Sequence, residues 1–468
     1  MEDNLHINNK MINILKGKKV ICLVDGEHYP PVTKQTLEKL LSLNIKINAL
    51  FFLGGTEKVK NATTELKNEK VGYRIYQSKK DGISYEMMDK MMQEIDFDIV
   101  IDLSDEPVVD YNSRFKIGAY VLKHGKDYLS ADYYFQAPDE RRILTKPNLS
   151  IIGTGKRIGK TAIGVTVARV LKKYNYDPVV ICMGRGGPPE PDFVNTVKME
   201  MNEETLIKVA EKGGHAASDY WEDAILGDVP TIGCRRCGGG FAGNPFFSNV
   251  IDGVKMAEEL PHKFVIMEGS GSTLPPIKAD KKIVLAGAHQ DISKILGFFG
   301  QYRIMISDLA ILTMCEKPLA SRKKIQKIYD GIKEIKPDMK VILTKFRPLP
   351  LGDINNKKVF VATTAQGVIR KKIIKFLEKR YNIKITGYTN HLSNREKLKK
   401  DLDQGLKNSD ILLTEIKAAS IDVAALTAKK NNVDVVFMHN QPVIVGGDVE
   451  DLDKELSSFA EKIIEEYK

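Results

Sequence analysis

The chain has 468 residues, 43% hydrophobic and 28% charged, which is enough for about three globular domains, each with its own core. Five cysteines scattered over that length exclude a disulfide framework. No apolar run is long enough to span a bilayer, and because the leading MEDNLHINNKMINILKGKK is polar and interrupted by charge, a cytoplasmic location is expected. Lys and Arg number 71 against 61 Asp and Glu, a formal charge of +10, which favours acidic partners, nucleic acid and small polyphosphates alike.

Residues 18–143 alternate strand and helix: KKVICLVDG, the helix TKQTLEKLLSL, IKINALFFLGG, then FDIVIDLSD ahead of a helix near Arg114 to Lys123. That alternation predicts a parallel sheet with crossover helices. ERRILTKPNL, with its proline, reads as the linker out of a first domain, residues 1–145. Two polar groups stand at strand ends there: Asp25, Glu27 and His28, followed by Pro30 and Pro31, and Asp102, Asp105 and Glu106. Each could hold substrate or metal, and each is equally a strand-to-helix turn.

A second region, residues 146–352, opens with the strand LSIIG and a helix over 159–173. Strands PVVICMG, KFVIMEG, RIMISDLAILTM and MKVILTKF follow, before RPLPLGDINNKK breaks the pattern. Residues 353–468 resume it with VFVATTA, KITGYTNHL, DILLTEIK and VDVVFMHNQPVIV, either as a third α/β portion or as an extension of the second sheet. Lysines beside glutamates, as in SRKKIQKIYDGIKEIK, make a solvated helix face that absorbs much of the positive excess. With a single Trp, this Lys- and Glu-rich composition also hints at heat adaptation.

GTGKRIGKT, from Gly153 to Thr161, keeps the GK[ST] end of a P-loop but places five residues between the outer glycines, where the usual pattern has four. The physical essentials survive: a strand ends, backbone N–H groups wrap an anion, and a helix presents its positive dipole end to phosphates. Gly155, Lys156, Arg157, Ile158, Gly159, Lys160, Thr161 and Ala162 would cradle the nucleotide. Lys160 would reach the β- and γ-phosphates and Thr161 would ligate magnesium. Such a site needs a carboxylate at another strand end, and KFVIMEGSGS supplies Glu268 with small residues after it. Asp192 is a further candidate metal ligand, and TKFRP, Thr344 to Pro348, is the expected location for adenine. The loop and the EGSG segment together resemble dethiobiotin synthetase and its relatives, whose logic is to phosphorylate an oxyanion and close a ring through it.

Cationic residues gather on glycine-rich segments of the middle region: Arg185 in CMGRGGPPEPD, His215 in GGHAASDYWED, and Arg235 and Arg236 in IGCRRCGGGFAGNP. Arginine on a loop with free N–H groups clamps phosphate oxygens bidentately; a surface arginine is the bland alternative. Cys234 and Cys237 form a lone CxxC without further ligands at zinc spacing, and no helix follows to activate a thiol.

VDGEHYPPV, the GTGKRIGKT loop, GRGGPPEP, CRRCGGG and TEIKAASIDV span the whole chain and together resemble the cyclic 2,3-diphosphoglycerate synthetases of methanogenic archaea. The resemblance implies a multidomain α/β fold, with a P-loop core of parallel sheet and helices flanked by an N-terminal α/β domain and a C-terminal α/β portion. It also implies ATP and Mg2+ as cofactors, with a diphosphate closed into an intramolecular phosphoanhydride and ADP and phosphate released. Lys160, Arg185, Arg235 and Arg236 would carry the chemistry, with Thr161, Glu268 and Asp192 at the metal. A small-molecule substrate, no nucleic acid, no membrane and a homodimeric assembly are expected. The rival reading is a partitioning-type P-loop ATPase acting with a protein, DNA or membrane partner. Such loops carry a lysine after their first glycine, where Gly155 stands here, and the C-terminal LDKELSSFAEKIIEEYK is too acidic to anchor a membrane.

Overall fold

A computed structural model describes residues 9–55, 66, 72–78, 82–199, 202–365 and 367–467. The chain forms two compact units: Met1–Pro138 with Leu296–Ile306, and Asp139–Ile295 with Ser307–Lys468.

The first unit is a six-stranded sheet: β1 (Lys19–Val24), β2 (Lys46–Phe52), β3 (Arg74–Gln77), β4 (Ile99–Asp102), β5 (Asp127–Leu129) and β6 (Tyr134–Phe135) in the order β3-β2-β1-β4-β5-β6. All neighbours are parallel except β5 and β6, as continuous apolar strands such as VICLV require when both faces are covered. Strand order reverses between β1 and β4, the place where such sheets open a crevice, and the sequence-predicted acidic groups lie there. The oxygens of Asp25 and Asp102 are used internally. Asp25 accepts from the backbone N–H groups of Glu27 at 2.9 Å, His28 at 3.2 Å and Asp105 at 2.6 Å, so it fastens the β1 and β4 loops together. Asp102, 3% exposed, accepts from Arg114 at 2.9 Å, Tyr128 at 2.5 Å and Tyr133 at 2.8 Å. RIMISDLAILTM is not one strand: Gly300–Met305 is helical and only Leu309–Thr313 is extended. The helix belongs to the first unit, where neighbouring Phe299 packs edge-on against Phe115 and Phe135, with centroids 5.5 and 5.1 Å apart.

The second unit carries a 13-stranded sheet, with strands β7 (Asn148–Gly153), β8 (Pro178–Gly184), β9 (Asp192–Val194), β10 (Thr231–Cys237), β11 (Phe247–Ser248), β12 (Phe264–Glu268), β13 (Lys281–Gly287), β14 (Leu309–Thr313), β15 (Lys340–Pro350), β16 (Lys358–Ala362), β17 (Lys384–Thr389), β18 (Ile411–Thr414) and β19 (Asp434–Gly447). The order is β11-β10-β8-β12-β7-β13-β14-β15-β19-β18-β16-β17, with β9 beside β10. β7 lies between β12 and β13 and is buried throughout. The long antiparallel pairing of β15 with β19, from Ile342 opposite Gly447 to Pro350 opposite Met438, joins the C-terminal strands to the sheet that carries the P-loop. β15 runs through Arg347-Pro348-Leu349-Pro350, where the sequence predicts a break. β14 pairs with β15 only as far as Leu343, so the strand offers an open side on which proline's missing N–H is tolerated. The helix Leu452–Glu465 buries Leu452, Leu456, Ala460 and Ile463 in the core that also holds Val167, Val170 and Leu171. No helix among the described residues is long and apolar enough to cross a membrane.

Candidate active site

β7 delivers Gly153 to the loop and the helix Lys160–Lys173 leaves it. Gly159 caps that helix at φ +80°, and an added Cβ would lie 2.2 Å from the Phe346 ring; backbone conformation and packing both demand glycine. The loop is pinned from outside: Thr154 donates to Gln290 Oε1 at 2.7 Å, and Thr313 donates to the carbonyl of Ile158 at 2.7 Å. Lys160 Nζ donates to the carbonyl of Gly271 at 2.9 Å. Burial pushes the Lys160 ammonium down to about 8, with Glu268 and Asp219 opposing the shift, so an arriving polyphosphate would stabilise a charge that burial disfavours.

Gly271 is a meeting point of cations. A Cβ built there would lie 3.2 Å from Arg185 Nη2, 3.4 Å from Lys156 Cγ and 3.7 Å from Arg236 Nη2. Arg236 is buried and donates to the Ser270 carbonyl at 2.9 Å and to the Gly238 carbonyl at 2.8 Å. Its pKa is lowered by burial and then by Arg185. Arg235 spends its guanidinium on the Gly187 carbonyl, at 3.1 and 3.0 Å.

These loops border a cavity of about 890 Å³. Residues 155–162 line it, with Arg185, Gly186, Gly187 and His215, the helix start at Ser218, Asp219 and Tyr220, and Ser270 and Gly271. Met314, Phe346, Pro348, Ile369 and Ile373 give it an apolar wall, beside which Arg347 pairs with Glu316 at 2.7 Å and Lys372 with Glu316 at 3.0 Å. Thr364, Asn390, Glu415, Lys417 and Asn440 complete the lining from the C-terminal strands.

Glu268 is absent from this lining and lies against the P-loop helix. It is 3% exposed, and an added Cβ on Gly164 would fall 1.5 Å from its Oε1. Cys182, Asp223 and Glu268 each bring a ligand atom within 4.8 Å of the others. Glu268 Oε1 and both Asp223 oxygens are buried without a hydrogen-bond partner. Burial pushes Glu268 up to about 8, opposed first by Lys160. Carboxylates kept from water without partners fit a cation.

Family models for the cyclic 2,3-diphosphoglycerate synthetase match the N-terminal domain at residues 19–136, the P-loop domain at 148–345 and the C-terminal domain at 350–441. The chain belongs to the cyclic 2,3-diphosphoglycerate synthetase family. It is 46% identical to the synthetase of Methanothermus fervidus over 96% of this chain and 98% of that one. Against the synthetase of Methanothermobacter thermautotrophicus the identity is 44%, over 96% and 97%. A crystal structure of LpxK from Aquifex aeolicus in complex with ATP aligns with a TM-score of 0.39 and 14% identity, covering 69% of this chain and 90% of that one, too distant to bear on function.

Within this family member, Lys156, Arg157, Lys160, Thr161, Arg185 and, of the 344–348 segment, Phe346, Arg347 and Pro348 share one cavity. Arg235 and Arg236 do not line it. Both lie in β10 and not on a loop, and they hold the loops that do. Asp192 stands exposed on β9, where it accepts a hydrogen bond from the Tyr220 hydroxyl at 3.0 Å. Cys234 is buried and Cys237 exposed, and residues three apart on one strand face opposite sides of the sheet. Sequence reading misses Asp219, which opens the helix Asp219–Gly227 on the cavity wall. Its only sequence signal is Ser218 ahead of an acidic first turn.

Proposed function

We propose that the protein is an ATP-dependent synthetase that closes 2,3-diphosphoglycerate into its cyclic phosphoanhydride. The observation that carries this reading is one cavity lined both by a P-loop and by the cationic Arg185 loop, with room for a nucleotide and a small polyanion together. Adenine would lie against Met314, Phe346 and Ile373. A divalent ion such as Mg2+ would neutralise phosphate charge, and Thr161, Asp219 and Glu268 would hold it.

A phosphate oxygen is a poor leaving group, so one substrate phosphate first accepts the γ-phosphoryl group of ATP, releasing ADP. The neighbouring phosphate then attacks the phosphorus nearest the glycerate carbon and expels inorganic phosphate. Holding both groups in one cavity supplies the effective-molarity advantage, while Arg185, Lys156, Arg157 and Lys160 screen the repulsion of their approach. Arg236 and Arg235 hold the Gly271 and Gly187 segments in place. The released phosphate therefore carries one substrate oxygen and none from solvent; heavy oxygen in it after a single turnover in oxygen-18 water contradicts the route. A small diphosphate should stimulate ATP turnover, whereas stimulation by DNA or liposomes instead would favour the partitioning-type reading. A small-molecule acceptor accounts for the basic clusters without nucleic acid. The expected homodimer is tested by light scattering.

A further inference from the structure

One cation on the cavity wall has no part in the scheme above. Lys417 follows β18, ahead of the π-helical turn Ser420–Ala425. Its ammonium lies 3.4 Å from Glu222 Oε1, and its side chain keeps 33% of its surface. Glu222, 5% exposed, is absent from the cavity lining. Glu415, a second nearby carboxylate, is already satisfied: it accepts from Thr363 Oγ1 at 2.8 Å, Thr364 N at 2.8 Å, Thr364 Oγ1 at 2.6 Å and Asn440 Nδ2 at 2.9 Å. An ammonium has three N–H donors, and the Glu222 contact uses one.

The backbone beside it is strained. Ala418 has φ +51°, and among the described residues other than glycine, asparagine and aspartate only Arg157, Phe298 and Met314 share the left-handed region. Three of these four, Arg157, Met314 and Ala418, line this one cavity. Alanine in that conformation costs on the order of 1 kcal/mol, and it is held there by Lys417 N donating to Ser420 Oγ at 2.9 Å and Ala419 N donating to the Leu392 carbonyl at 3.1 Å. The geometry also fixes which part of the cavity Lys417 serves. Its partner Glu222 and its electrostatic neighbour Asp219 lie on the helix Asp219–Gly227. Asp219 Oδ2 lies 3.8 Å from the position a Cβ on Gly184 would take, at the root of the Arg185 loop.

We infer that Lys417 binds a phosphate of the diphosphate substrate together with Arg185, so that the C-terminal strands supply one half of the acceptor clamp. This rests on the function proposed above. Lys417→Ala should raise KM for 2,3-diphosphoglycerate about ten- to a hundredfold, the weight of one charged contact. ATP affinity measured by calorimetry should be unchanged, and Lys417→Arg should recover part of the loss. Because Lys417→Ala alone leaves Glu222 buried and unpaired, Lys417→Ala/Glu222→Gln is measured in parallel and should show the same KM shift. Parental saturation in the double variant, or an equal loss of ATP affinity, overturns the assignment. If the parent protein yields no diphosphate-dependent product, the proposed function falls and this inference with it. If the parent makes product and the variants saturate like it, only the role of Lys417 falls.

Discussion

Replacing Gly164 with alanine sets two known effects against each other inside the P-loop helix. Glycine to alanine within a helix gains roughly 1 kcal/mol in backbone entropy, so on propensity alone the variant should be more stable. The structure gives the opposite sign. The new Cβ would sit 1.5 Å from Glu268 Oε1 and 2.5 Å from Cδ, so the carboxylate would have to retreat by about 2 Å to reach ordinary contact. Its room is limited: β12 is paired on both sides, with β7 and β8, which fixes the backbone, and Cys182 and Asp223 lie beside the carboxylate. Overpacking of this kind costs about 1–3 kcal/mol, and driving Glu268 toward the unpaired Asp223 adds to it. A net loss of about 1–2 kcal/mol corresponds to a Tm lowered by about 1.5–3 °C in a unit of this size. Displacing Glu268 should also raise the magnesium concentration needed for half-maximal turnover. Thermal unfolding followed by circular dichroism, with a magnesium titration of ATP turnover, reads both. A Tm at or above the parental value with unchanged magnesium dependence would refute the placement of Glu268 under the helix.

Lys160→Ala should lower turnover by roughly 10²–10³, the value of one lost transition-state contact; near-parental activity in a folded variant sinks the nucleotide site. Arg236→Ala and Arg235→Ala should each weaken saturation by the diphosphate more than by ATP, because they release the Gly271 and Gly187 segments, and steady-state KM values for both substrates decide it. His439 is buried, with Nε2 3.2 Å from Thr166 Oγ1 and Nδ1 without a partner; burial, then Arg169 and Lys417, push its pKa down to about 3. Its folded pKa lies below the unfolded one, so its contribution is full above about pH 6.5 and is lost as pH falls toward 3. Denaturant unfolding should therefore show parent stability falling by about 2 kcal/mol more than that of His439→Gln between pH 7 and pH 5. Parallel pH dependence in the two proteins contradicts the burial of a neutral imidazole.

The P-loop was legible because a strand, a glycine-rich turn and a helix are local, and each carries its own pattern within residues 148–173. The alternating strands and helices of both units were legible for the same reason. Arg235 and Arg236 misled: glycines on either side suggested a loop, while pairing with β8 and β11 extends the strand through both. RIMISDLAILTM reads as one apolar run, yet aromatic packing around Phe299 makes its first part helical, and short apolar runs cannot be assigned by periodicity alone. Glu268 sits at its strand end as expected, but the sequence could not show that the P-loop helix covers it. The cavity wall of Thr364, Lys417 and Asn440 was least accessible. It forms because β19 returns to pair with β15 across about a hundred residues, a non-local contact with no local signature.

This cavity is proposed to couple ATP to ring closure. Phosphorus-31 NMR of the protein with ATP, Mg2+ and 2,3-diphosphoglycerate tests it most directly. Expected is a phosphoanhydride signal of the cyclic product growing together with ADP and inorganic phosphate, one of each per ring closed, and lost in Lys160→Ala. Formation of ADP and phosphate by the parent protein while the diphosphate resonances stay unchanged would contradict it.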